Sequence, residues 1–210
     1  YTMNPTPEKT SVMAPFILML FLYFIVGLFT VINQQFQVPL KSALLPHDGN
    51  MTNALVTLLN FSWFLAYPFS EGFATRWVDR LGYRKTSVYS LLIFIVGLGF
   101  YEAAVLLHIY APSYITIMGN PIFTGFFIFL SGSFVIGMAV TILQVVTGLY
   151  LDVNPVGKTT PLQRQMIGGT TNSIGMAIGA FGVAMCNLVG GLPPMVSVST
   201  MYNPVNLSGP

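Results

Sequence analysis

The chain is 210 residues long, 54% hydrophobic and only 7% charged, with a formal charge of +2 and a mean hydropathy of +0.72. An ordinary soluble domain is about 25% charged, so the composition excludes a water-soluble globular protein, and so small a positive charge implies no nucleic-acid partner. The single cysteine, Cys186, lies in an apolar run, which excludes a disulfide framework and leaves a small packed residue.

Several apolar runs approach or exceed the ~20 residues needed to cross a bilayer, which predicts an all-α polytopic membrane protein. Residues 1–11 open with YTMNPTPEKT, a polar N-terminal segment, and the run that follows is too long for a signal-peptide core. Five spans are expected, from Val12 to Leu40, Asn53 to Thr75, Thr86 to His108, Ile122 to Tyr150 and Ile167 to Gly190. Together they make a bundle over residues 12–190. The connections are LPHDGNMT, RWVDRLGYRK, the stretch around IYAPSYITIMGNP, and VNPVGKTTPLQRQ. Residues 191–210 form a polar tail. A start at Tyr1 and an odd number of spans predict a fragment, cut before a sixth span.

Lys and Arg set the orientation. With the N-terminus cytoplasmic, Lys9, Arg76, Arg80, Arg84, Lys85, Lys158 and Arg164 fall inside and only Lys41 outside. The sequons at Asn50 and Asn206 then fall outside, although sequons are common by chance. Expected localisation is the cytoplasmic (inner) membrane.

Amides crowd the end of the first span, in TVINQQFQVPL. An unsatisfied amide in hydrocarbon costs several kcal/mol, roughly, so such groups face a bundle interior or a wet cavity. Thr30, Asn33, Gln34 and Gln37 recur at i, i+3, i+4, i+7 and share one helix face. Thr141, Gln144 and Thr147 or Gly148 repeat that spacing in the fourth span, and Thr170, Thr171, Asn172 and Ser173 cluster in the fifth. Three neutral polar stripes converging on one hydrated hollow would suit the donor–acceptor pairs of sugar hydroxyls. The alternative is that the same groups bind helices together, as the small residues Gly175, Gly179 and Gly182 suggest.

Glu71 lies deep in the second span, either pairing with Arg76 or Arg80 or acting as a coupling group. Glu102 snorkels towards the outer end of the third span, and His47 is a solvated loop residue. No metal-ligand spacing, phosphate-cradling loop or nucleophile–base pair occurs, so neither an enzyme nor a cofactor is expected.

TRWVDRLGYRK, residues 75–85, places Asp79-Arg80, Gly82 and Arg84-Lys85 in a pattern that resembles the signature loop of the major facilitator superfamily, between its second and third helices. The resemblance implies that Asp79, just beyond the second span, meets a helix in an opposite half of the molecule. It also implies that the Arg pairs with an acid at the end of the fourth helix, a place Asp152 occupies here. Gly82 would permit the turn and Arg84 anchor the cytoplasmic face. Thr75 stands where the family usually has glycine.

GLFTVINQQFQVPLKSAL, TILQVVTGLYLDVNP and GGTTNSIGMAIGAFG are similar to the fucose and glucose–galactose permease branch of that superfamily, with Asn172-Ser173, Gly175 and Pro39 matching closely. Gln35 and Gln144 fall where those relatives carry membrane-embedded carboxylates. An amide keeps the reach of a carboxyl but cannot titrate, so sugar binding is implied while proton coupling through these positions is not. The expected function is secondary transport of a monosaccharide or similar small polyol by alternating access, uncoupled or coupled to H+ or Na+. Rivals are an exporter of drug-like compounds or metabolites on the same fold and a non-transporting membrane sensor or subunit.

Overall fold

The computed structural model describes residues 13–35, 50–111, 113–117 and 120–189. Gln37, Pro39, Lys41 and His47, together with Lys9, the polar tail and its sequon, lie outside the described residues. The fold is almost wholly helical: α1 (Met13–Gln35), α2 (Asn50–Tyr110), α3 (Gly125–Val153) and α4 (Pro161–Val189), with a hairpin of β1 (Tyr114–Ile117) and β2 (Asn120–Phe123) between α2 and α3. Three of these helices are long and apolar enough to cross a membrane: α1, the stretch Asn53–Tyr110 of α2, and α3.

The 61 residues of α2 form two rods, because helical geometry breaks at Gly82, where φ is 77° and ψ 166°. That backbone region is open to glycine and essentially closed to every residue with a Cβ. The first rod runs beyond the expected boundary at Thr75. Its polar end holds no helix breaker before Gly82, and Ala74 and Val78 stay buried against Ile142 and Val146 of α3. Change of polarity marks where apolar surroundings end, not where a helix must end. Asp79 and Arg80 therefore sit in the last helical turn rather than in a loop. Gly82→Ala should cost about 1–3 kcal/mol and loosen the angle between the rods, measured as a lower melting temperature by circular dichroism in detergent. Gly72→Ala, with open space around the new methyl, should leave it unchanged.

The expected fourth span begins too early. Ile122 and Phe123 belong to β2, paired antiparallel with β1 in the register Tyr114↔Phe123 and Ile117↔Asn120. Ile115, Thr116, Ile117 and Ile122 are β-branched, while Pro121 denies the ladder a donor and suits an edge strand. The hairpin closes with Thr124 N donating to Ser113 O at 2.9 Å. It plugs one end of the bundle: Ile122, Phe123 and Phe126 pack on Leu55, Val56 and Leu107.

α4 starts six residues before the expected Ile167. The sequence TPLQ is a capping box: Thr160 N donates to Gln163 Oε1 at 3.0 Å and Gln163 N donates to Thr160 Oγ1 at 3.3 Å. Pro161 occupies the first helical position, where its missing N–H costs nothing.

α3 is the most enclosed helix, since Gly132, Ser133, Gly137, Ala139 and Thr141 are small enough to admit neighbours closely. Trp63 of α2, 1% exposed, fills the centre against Met19, Leu22 and Val26 of α1 and Ile136, Val140 and Leu143 of α3. The two rods of α2 pack chiefly on α3, and α1 chiefly on α4. On the outward surface large apolar side chains such as Phe61, Phe69, Phe73, Leu92, Ile95 and Phe181 are bare. Such a surface belongs in lipid.

Candidate functional site

The expected amides fall into two layers, not one. In the first, the Tyr101 hydroxyl of α2 donates to Asn33 Oδ1 of α1 at 3.0 Å and lies 2.9 Å from Ser133 Oγ of α3. A phenol has one proton, so with that bond to Asn33 the Ser133 hydroxyl donates to Tyr101. Tyr101 is further held by stacking on Phe129, with ring centroids 3.9 Å apart and planes at 5°. It is nine residues from the hairpin end of α2 and Ser133 eight from that end of α3, which puts the layer about 12–14 Å deep. Gln34 and Gln35 follow Asn33. Gln34 is exposed and Gln35 half-buried, and neither side chain bonds another described residue.

The second layer lies eleven residues further along α3, about 16 Å deeper. It holds Gln144, half-buried, whose side-chain amide has no hydrogen-bond partner among the described residues. Asn172 reaches the same depth to within about a turn, counted from the bond that Gln165 Nε2 of α4 makes to Gly148 O at 2.8 Å. Asn172 Nδ2, however, donates to Tyr23 O of α1 at 3.0 Å. A Cβ on Gly27 would run into the Asn172 carbonyl, and one on Gly175 into the Phe24 carbonyl. Asn172 thus works at a close helix contact made by Gly27, Gly175 and Gly179. Gly182, expected in the same contact, meets nothing within 4 Å.

The hydroxyls of the polar stripes are turned inward on their own helices. Thr30, Thr141, Thr170, Thr171 and Ser173 each donate to the carbonyl four residues back. Thr147 does so to Leu143 O. This local bonding commits their protons, leaving the hydroxyls able only to accept from a solute. Among the described residues, the side-chain amides left without any bond in the layers are those of Gln34, Gln35 and Gln144. Between the layers a cavity of about 150 Å³ is lined by Ile25, Val26, Phe29, Ser90, Leu91, Phe94, Ala139, Val140 and Leu143. It is apolar, with the Ser90 hydroxyl committed to Ser87 O at 2.9 Å.

At the end opposite the hairpin, Asp79, Arg80 and Arg84 are exposed and form no ion pair with another described residue. The expected pairing of Asp152 with a cation of that loop is replaced by a different contact. Arg164, 3% exposed, donates from Nε to Leu151 O at 2.6 Å, from Nη1 to Thr159 O at 2.8 Å and from Nη2 to the main-chain carbonyl of Asp152 at 2.8 Å. The guanidinium caps the last carbonyls of α3, where helix-terminal partial charge offsets its own. Glu71 is exposed and makes no ion pair with Arg76 or Arg80 among the described residues. Tyr101 and Ser133 were not among the residues expected from sequence to matter, and Arg164 was expected only as one of the cations that set orientation. A lone Tyr or Ser inside an apolar run carries no pattern, whereas the capping box would have placed Arg164 on a helix.

The chain matches no protein-family model, and neither curated proteins nor solved structures include one that is similar to it.

Proposed function

We propose that this chain is the membrane bundle of a secondary transporter, of major facilitator type, that moves a small uncharged hydroxylated solute such as a monosaccharide or polyol. In this reading α1, the two rods of α2, α3 and α4 make five crossings. Arg76, Arg80, Arg84, Lys85 and Lys158 mark the cytoplasmic end, and the hairpin plugs the outer one. The observation that carries the reading is Gln144, an amide on the most enclosed helix with neither a partner among the described residues nor a charge. In hydrocarbon such a group needs water or a ligand. Gln34 and Gln35 would form a second contact nearer the hairpin end, so the solute would pass two neutral stations about 16 Å apart. Asp79, Arg80, Arg84 and Asp152 keep their charges available for a gate against a further bundle, with Gly82 setting the turn. Glu71 is the carboxylate available for coupling to H+ or Na+.

Gln144→Ala should abolish uptake of labelled monosaccharides in cells while leaving the inserted amount and the melting temperature unchanged. Asn172→Ala should instead lower the melting temperature, because it removes the bond to Tyr23. Normal sugar uptake by Gln144→Ala would overturn the site. The apolar cavity between the layers favours a second reading, export of an amphiphilic compound on the same architecture. A counterflow assay of labelled sugars against cationic dyes separates the two.

A further inference from the structure

The ends of the two rods of α2 carry side chains in an order that matches the cross-section of a phospholipid leaflet. On the first rod Arg80, Trp77 and Phe73 fall at i, i−3 and i−7, one stripe of a helix. On the second rod Lys85, Tyr89, Leu92 and Val96 fall at i, i+4, i+7 and i+11, again one stripe. All of these are exposed except Trp77, which is half-buried. The Trp77 and Tyr89 rings meet edge to face with centroids 6.2 Å apart, joining the two stripes side by side. Counted from Gly82, the cations lie within the first turn of either rod. The aromatic pair lies about 7–11 Å in, and Phe73 and Leu92 about 13–15 Å in.

Cation, then amphipathic ring, then hydrocarbon is the sequence of surroundings from headgroup to acyl chain. Arg84 extends the cationic rim and Arg76 lies one turn deeper, level with the aromatic pair, so four cations accompany the single carboxylate of Asp79, and none of the five is ion-paired to a described residue. Charge of one sign, bare and clustered at headgroup level, recruits anionic lipid.

We infer that the paired stripes across Gly82 form a docking surface for one anionic phospholipid, its headgroup on Arg80 and Lys85 and its acyl chains along Phe73 and Leu92. The surface touches neither of the proposed solute stations, and it shares Arg80 with the proposed gate.

The test uses the full chain in vesicles of phosphatidylcholine containing a minor share of phospholipid with brominated tails, which quench nearby indole. Trp63, at 1% exposure, is shielded from lipid, and the chain has two tryptophans, so quenching reports Trp77. Brominated phosphatidylglycerol should quench more strongly than brominated phosphatidylcholine at equal mole fraction, with an apparent preference of roughly threefold or more at low salt. The preference should fall to parity in the Arg80→Gln/Lys85→Gln variant and fade in ~0.5 M salt, where charges are screened beyond about 4 Å. Added inorganic phosphate at constant ionic strength should leave it unchanged. Equal quenching by both lipids, a preference that survives the double variant, or loss of the preference to inorganic phosphate would each overturn the inference.

Discussion

Arg164→Ala should lower the stability of the purified protein by about 3 kcal/mol, since hydrogen bonds from a charged donor are worth roughly 1.5–3 kcal/mol each and three are lost together. The three acceptors, Leu151 O, Asp152 O and Thr159 O, belong to the end of α3 and the link to α4. Part of the loss is offset because the variant no longer buries a charge, which is why the sum of the three bonds overstates the effect. Arg164→Lys is the sharper experiment. A lysine preserves charge but presents one ammonium instead of a planar fork, so it can reach one or two of the carbonyls and not all three. Thermal melts should therefore rank wild type above Lys and Lys above Ala. Full recovery by Lys would show that charge alone, through the helix dipole, explains the residue.

The second large effect is expected at the contact between α1 and α4. Gly27→Val and Gly175→Val each drive a side chain into main-chain carbonyl oxygen, of Asn172 and Phe24 respectively. Main chain in the middle of a helix cannot swing aside as a side-chain tip can, so the helices must separate. The cost should reach about 3 kcal/mol, the upper end for overpacking. Gly182→Val on the same α4 helix is the control, since nothing lies within 4 Å of the added Cβ. It should fall within about 0.5 kcal/mol of wild type. Equal losses in all three variants would mean that helix propensity, and not proximity, is being measured.

These two sites show where single-sequence reading stops. The rods were legible because apolar length is a one-dimensional property, and Gly82 because a glycine amid polar residues marks a turn. The hairpin was not legible: YITI falls in a stretch that reads as a connection, and Ile122 and Phe123 read as the start of a span, because so short an apolar run looks the same whether it coils or extends. The amide stripes were legible as faces of single helices. Their depth relative to each other was not, because a helical wheel says nothing about the register between helices. That register is set by contacts such as Tyr101–Asn33 and Asn172–Tyr23, which join residues 68 and 149 positions apart. The same blindness hid the division of labour between Gly175 and Gly182, alike in sequence and opposite in surroundings.

The pairing of α1 with α4 has a consequence for biosynthesis. Phe24 leaves the ribosome 151 residues ahead of Gly175, an interval of about 8–30 s at ordinary elongation rates of about 5–20 residues per second. The α2 rods and α3 follow one another and can associate with each other and with α1 as they emerge, whereas the Gly27 groove of α1 stays uncovered. α4 is the helix that completes it, so nascent chains halted before Gly175 should hold α1 in a state open to helper proteins and proteases.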